Sequence, residues 1–369
     1  MLIILQALVF IRPFISSLAF AYLNSLYSAC LILFLVFWGV ASNKPYKNIQ
    51  YLYPPLLMFC LALAISIIFS INKLTSLFGL YNYTIYLLLL VAAASLSSKD
   101  KIRLAQTIFI AGFIISILAL YQYFFGFTHV LNYIAKNKIS DSFALDYISR
   151  KRIFFPFVTP NALGGYLAMI LPLALINKNR LWFILPIFTA LILTGSLGAI
   201  LSLFLGLIIY LHLKGKLKNK ITLPLFGLLI VIALIFIARS MTLKQHTAPG
   251  FSALMRLGYW QDTLRIIGHR TLTGLGIGNF NLSPTRYAHN SYLQIWAEMG
   301  ILGISAYIWL VFRSLKSGFN KLKTGEDKNY MIALIASIAV FLVHNLIDFT
   351  FFLPEVSIIW WIMLGMIIA

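Results

Sequence analysis

Hydrophobic positions run through this chain in long blocks, broken at nearly regular intervals by short polar clusters. Apolar runs fall near 2–22, 25–41, 51–70, 77–97, 102–125, 159–176, 181–195, 198–212, 221–239, 289–312, 330–348 and 354–369. A helix needs roughly 20 apolar residues to cross the hydrocarbon of a bilayer. The pattern therefore predicts an all-α polytopic membrane protein of about 12 transmembrane helices, with residues 1–369 forming a single integral membrane domain. The stretch 181–212 is too long for one straight span, and Gly195-Ser196-Leu197-Gly198 predicts a tight turn within it. Two polar segments, 126–158 and 240–288, stand outside the runs. In the second, Met255, Tyr259, Trp260, Leu264 and Ile267 have a spacing that lets them share a face, which predicts a helix lying on the membrane surface.

Composition agrees with this reading. Apolar residues make up 61% and charged residues 10%, against about 25% charged in soluble domains. No basic region precedes the first run, so it is expected to stay as a span and not to be cleaved as a signal peptide. Cys30 and Cys60 lie inside apolar runs and are expected to be small buried hydrophobes. The net charge of +20 does not indicate a nucleic-acid partner, because the basic residues are scattered between apolar runs and form no compact domain.

Their distribution suits orientation instead. With the N-terminus placed inside, sixteen Lys and Arg fall in the short loops of the inner face and one, Lys73, in those of the outer face. That asymmetry is the positive-inside pattern, and it puts both termini in the cytoplasm. Apart from Arg12, the remaining basic residues gather in or beside the two long outer segments, among them Arg152, Arg239, Arg256 and Arg286. Positive charge there opposes the orientation signal. Arginine offers a planar fork suited to phosphate oxygens, so these residues are candidates for holding an anionic ligand.

Three stretches concentrate candidate chemistry. Lys151-Arg152 precedes an aromatic segment, and Pro160-Asn161 opens a span, where Asn161 either caps the helix or meets a ligand at its N-terminus. Thr273-Gly274-Leu275-Gly276-Ile277-Gly278-Asn279-Phe280 permits tight turns and close backbone approach. No strand precedes it, which argues against a dinucleotide loop. His289-Asn290 stands at the mouth of the tenth run, and Glu298 is the only acid inside it. An ionisable residue at such depth is a functional candidate by default.

The arrangement Arg256…Trp260…Gly274-Leu-Gly-Ile-Gly-Asn-Phe280…His289-Asn-Ser-Tyr-Leu-Gln…Glu298-Met-Gly-Ile-Leu-Gly303 resembles the O-antigen ligase and O-antigen polymerase superfamily. Phe157-Val-Thr-Pro-Asn161 and His344-Asn-Leu-Ile-Asp348 are similar to further blocks of that family, so the family-like catalytic region spans about 150–350. One departure is clear. Family members commonly carry Ser-Arg-Gly in the turn after the seventh span, whereas this chain has Ser196-Leu197-Gly198, leaving Arg152, Arg239 and Arg256 as substitutes.

The resemblance implies a membrane glycosyltransferase of the bacterial inner membrane, acting at the periplasmic face. It would move a glycan from an undecaprenyl-diphosphate carrier to a hydroxyl of lipid A–core or another cell-surface acceptor, with a polysaccharide polymerase as the alternative. The implied catalytic residues are His289, as the base, and Arg256. Arg152, Asn161, Trp260, Arg239, Arg286, Asn290 and Glu298 are the implied substrate contacts. No metal and no cofactor is expected. The implied partners are the lipid-linked donor, the acceptor and membrane lipids. A reading from another class, a transporter or flippase using Glu298, His344 and Asp348 as an ion path, predicts internal repeats, and the two halves show none.

Overall fold

The computed structural model describes residues 1–41, 46–137, 147–176, 182–242, 251–282, 285–324 and 327–368. Among these the only β pairing is an isolated bridge between Leu282 and Thr285. In chain order the helices are α1 (Leu2–Ile11), α2 (Ala21–Ala41), α3 (Tyr53–Ile68), α4 (Lys73–Ala94), α5 (Ser98–Tyr121), α6 (Phe127–Asn137) and α7 (Pro160–Ile170). They continue as α8 (Ile184–Leu193), α9 (Leu197–Leu213), α10 (Asn219–Thr242), α11 (Phe251–His269), α12 (Ser291–Thr324), α13 (Lys328–His344) and α14 (Pro354–Met366).

The expected runs coincide closely with these helices, but length separates them into two groups. Five helical segments are long and apolar enough to cross a membrane: Ala21–Ala41, Ile49–Ile68, Lys73–Ala94, Ser98–Asn132 and Ser291–Thr324. The other apolar helices are shorter, so the structure does not bear out the expected count of about 12. The first run shows one cause. Instead of one span over 2–22, α1 ends at Ile11, Arg12–Phe14 forms a 3-10 turn containing Pro13, and α2 begins at Ala21. Pro13 fits a first turn but interrupts an α-helix. The expected turn between α8 and α9 is present, with Gly195 at φ +61° and its N–H bonded to the Ile192 carbonyl at 2.9 Å.

The last helix is the pole of the bundle. Every residue of α14 is buried, as expected for a helix that is apolar all round and enclosed by others. It packs on α4, where a Cβ at Gly365 would overlap the Leu90 carbonyl. Around this core, apolar side chains such as Leu33, Phe37, Val40, Leu57 and Phe78 are exposed. That apolar exterior and the apolar helices make this a membrane protein. Cys30 and Cys60 belong to the exposed face and are not buried as expected. An apolar outer surface gives a small hydrophobe a place on either side of a helix.

Loop contacts sort onto two ends of the bundle, separated by the length of α4, about 33 Å at 1.5 Å per residue. At one end the Ile71 N–H donates to the Leu275 carbonyl at 3.0 Å. At the other, the Nζ atoms of Lys101 and Lys321 donate to the Ile368 carbonyl at 2.7 and 3.2 Å. The candidate chemistry lies at the first end.

Candidate functional site

Beside that end α11 packs on α12, with Tyr259, Ile266 and Ile267 turned towards Phe280, Leu282 and Ala297. The expected apolar face is therefore only partly realised: Met255 and Leu264 are exposed. Leu264 lies half a turn round the helix from Ile266, on the side facing away from α12.

His289 sits just before α12 in the left-handed conformation, φ +51°, which is uncommon for a residue with a side chain. Two neighbours fix it there. The Trp260 indole N–H donates to the His289 carbonyl at 3.3 Å. Asn290 Oδ1 accepts from the N–H groups of Tyr292 and Leu293 at 3.0 and 3.1 Å, so Asn290 caps α12. The imidazole is thereby released from capping. It stacks on Tyr259 with centroids 5.7 Å apart and meets Phe349 edge-on at 4.8 Å. Its Nδ1 is buried without a hydrogen-bond partner. Burial pushes the imidazole pKa down to about 4; Asp348 opposes this and Arg256 reinforces it. The ring is therefore neutral at physiological pH, with a free nitrogen.

Arg256 projects from α11 towards the α13–α14 connection, where its Nη2 lies 3.5 Å from Asp348 Oδ2. Its Nε is buried and has no partner. Asp348 is 1% exposed and also accepts the Phe349 N–H at 2.8 Å. Asn345 shapes the same connection by accepting from Ser291 Oγ at 2.7 Å and from the Phe351 N–H at 2.8 Å. The sequence did not pair Asp348 with Arg256. The signal was present, since Asp348 is an acid flanked by apolar residues and such acids usually have a partner.

A second arginine organises the neighbouring corner. Arg152 Nε donates to the Thr194 carbonyl at 2.8 Å, and its Nη2 donates to Asn161 Oδ1 at 3.1 Å. Asn161 does not cap α7. Thr159 does, through Oγ1 accepting from the Ala162 N–H at 3.1 Å. Arg152 thus lies against the turn 194–196, next to Leu197, where the resembled family carries its own arginine. Between the two arginines lies His344, the last residue of α13. A Cβ at Gly165 would overlap its ring, and a Cβ at Gly198 would approach its Nδ1 at 3.7 Å. Sequence reasoning gave His344 no place at the centre.

Glu298 and the glycine loop are arranged differently. Gly274, Gly276 and Gly278 have φ of +70°, +98° and +77°. A Cβ at Gly274 would overlap the Glu298 backbone, and one at Gly276 would overlap Ser70, so these two glycines admit protein and not ligand. Glu298 Oε2 accepts from the Gly278 N–H at 2.8 Å, and Oε1 accepts from Gln294 Nε2 at 3.0 Å. Its carbonyl accepts from the Gly276 N–H and from Ser66 Oγ. Opposite the loop, α12 is kinked at Gly300, with φ 66° and ψ −174°.

Of the anticipated site residues, His289, Arg256, Trp260 and Asn290 come together, and Arg152 and Asn161 form the adjoining corner. Arg286 is exposed near Glu298, in the lining of a cavity that His289 does not line. Arg239 lies in α10, but its side chain is outside the described residues. Arg265 and Arg270 are engaged elsewhere, with Asp262 and the Phe69 carbonyl.

No curated protein matches the chain significantly. Residues 181–308, which hold α8 to α11, the glycine loop, His289 and the first half of α12, match the family model described as O-antigen ligase. This match supports the chain's place in the O-antigen ligase superfamily.

Proposed function

We propose that the protein transfers a glycan from an undecaprenyl-diphosphate carrier to a hydroxyl of lipid A–core or another cell-surface acceptor. The observation that carries the reading is the buried, unpartnered Nδ1 of His289 beside Arg256, in a chain matching the O-antigen ligases. In the reaction the acceptor oxygen attacks the anomeric carbon and the bond from that carbon to the diphosphate oxygen breaks. The acceptor proton passes to His289, and the diphosphate departs on its lipid. Neutral imidazole suits the proton. The leaving group needs charge stabilisation and no proton, which Arg256 supplies through its free Nε and Arg152 from the adjoining corner. Trp260 and Asn290 act by fixing the His289 backbone.

The same reading gives twelve crossings, cytoplasmic termini and an active site on the periplasmic face. Support comes from the loop contacts: Ile71 meets Leu275 at one end, and Lys101 and Lys321 meet Ile368 at the other, each pair on the same face in that topology. One experiment tests base and face together. In sealed vesicles of known orientation, lipid-linked donor on the periplasmic side should support transfer and donor confined to the cytoplasmic side should not. His289→Ala should lower transfer by about 10²–10⁴-fold while donor is still bound. A folded His289→Ala protein retaining more than about a tenth of wild-type turnover, or transfer from the cytoplasmic side, contradicts the proposal.

A further inference from the structure

A cavity of about 120 Å³ opens beside the centre, between α4, the glycine loop and the start of α12. His289, Arg256 and Arg152 do not line it. It is joined to His289 through Tyr287, which forms part of its wall and stacks on Phe349 at 4.1 Å. Phe349 in turn touches the imidazole. A cavity of about 150 Å³ accommodates benzene and a pyranose is larger, so this one takes a single sugar ring only with part of the ring projecting through its open side.

Its lining is of two kinds. Tyr86, Tyr287, Phe351 and Phe352 give flat aromatic surfaces. Between them stand Asn82, Gln294 and Glu298, with Arg286 exposed at the rim. The hydroxyl of Tyr83, also in the lining, is buried and has no hydrogen-bond partner, in a side chain only 5% exposed. The Glu298 carboxylate has about four acceptor sites; the Gly278 N–H, Gln294 Nε2 and the Phe280 N–H occupy three of them, which leaves one for a ligand. An empty apolar hole needs none of these groups, and a buried hydroxyl left without a partner is destabilising. An anion is disfavoured here by the buried carboxylate. A pyranose meets both kinds of lining: its C–H faces lie on aromatic rings, and its hydroxyls both donate to Glu298 and accept from Tyr83.

We propose that this cavity binds one uncharged pyranose unit of the acceptor glycan, next to the unit whose hydroxyl reacts. The assignment to the acceptor rests on His289 being the base, and on Arg256 and Arg152, which draw the diphosphate, lying outside the cavity lining. Tyr83→Phe removes the hydroxyl and keeps the ring packed between Phe59, Tyr86 and Phe351.

The test has two arms. In the first, saturation-transfer NMR is recorded on detergent-solubilised full chain with methyl glucoside, methyl galactoside, N-acetylglucosamine and glucuronic acid. At least one neutral sugar should give a signal that falls in Tyr83→Phe and Asn82→Leu, while glucuronic acid gives none. In the second, Tyr83→Phe should raise the acceptor KM about 2- to 10-fold, the worth of one hydrogen bond, leaving donor KM and kcat unchanged. Absence of a neutral-sugar signal from folded wild-type protein overturns the proposal, as does an equal rise in donor KM. If the wild type forms no product, the glycosyltransferase reading fails, and the NMR arm alone still decides whether the cavity holds sugar.

Discussion

Glu298 and His289 lie nine residues apart in the chain, and the bundle treats these two polar side chains in opposite ways. Glu298 has both carboxylate oxygens and its carbonyl engaged, by Gly278, Gln294, Gly276 and Ser66. His289 has a buried Nδ1 with no partner, and Arg256 beside it has a buried Nε with none. A buried polar group left unpaired is costly, and here two such atoms belong to side chains close enough for Arg256 to act on the imidazole. The difference divides the region into a clamp, whose carboxylate is answered mostly by protein and turns only its remaining acceptor capacity to the cavity, and a centre that is incomplete without a ligand.

Breaking the clamp should have the largest effect. Gly274→Ala would impose a side chain at φ +70° and overlap the Glu298 backbone. Strain and overpacking together cost on the order of 3 kcal/mol or more. Little monodisperse protein should be recovered in detergent, and what survives should melt well below wild type. Wild-type recovery and melting would show that the loop does not clamp the fold.

A smaller loss is expected at the centre, without loss of fold. Arg256→Lys keeps the charge facing Asp348 but removes the fork, and a hydrogen bond to a charged group is worth about 1.5–3 kcal/mol. Transfer should drop about 10- to 100-fold at nearly unchanged melting temperature. A fall in melting temperature that matched the loss of activity would place Arg256 with the clamp.

The finest distinction is in the pH profile. With its pKa held at about 4 by burial, His289 in the free protein stays neutral well into the acid range. Raising pH through 4 removes its proton, so kcat/KM should be flat from neutral pH and fall only as pH approaches 4. A bound diphosphate brings negative charge near Arg256 and favours the imidazolium, so the acid limb of kcat should lie at higher pH than that of kcat/KM. A kcat/KM limb near the ordinary histidine value of about 6.5 would mean a solvated imidazole and break the comparison.

The clamp and the centre were unequally legible in the sequence. Hydrophobic runs marked nearly every helix, because burial and lipid contact both require apolar residues in blocks. The first run misled because Arg12-Pro13 ends α1 inside an otherwise apolar stretch. His289, Arg256 and Arg152 were legible as types, since charge on an outer segment needs a reason. Their grouping depended on Asp348 and on the turn 194–196, which are close only in three dimensions. For Glu298, depth and charge could be read from the chain, but not the loop N–H groups that answer it. Backbone donors are invisible in a sequence, so a clamp and a binding residue look alike there.

The pairing of Arg12 with Glu355 has a consequence for how the chain is made. The two are 0% and 1% exposed, 3.4 Å apart and 343 residues distant in sequence. The ribosome delivers the cation 343 residues before its counter-ion. Until Glu355 is made, the turn after α1 therefore carries a charge that is costly to bury unpaired, eased among the described residues by Asn24 Oδ1 at 2.8 Å and the face of Tyr27 at 4.8 Å. This buried pair, which ties the turn after α1 to the start of α14, can close only once α14 has been made.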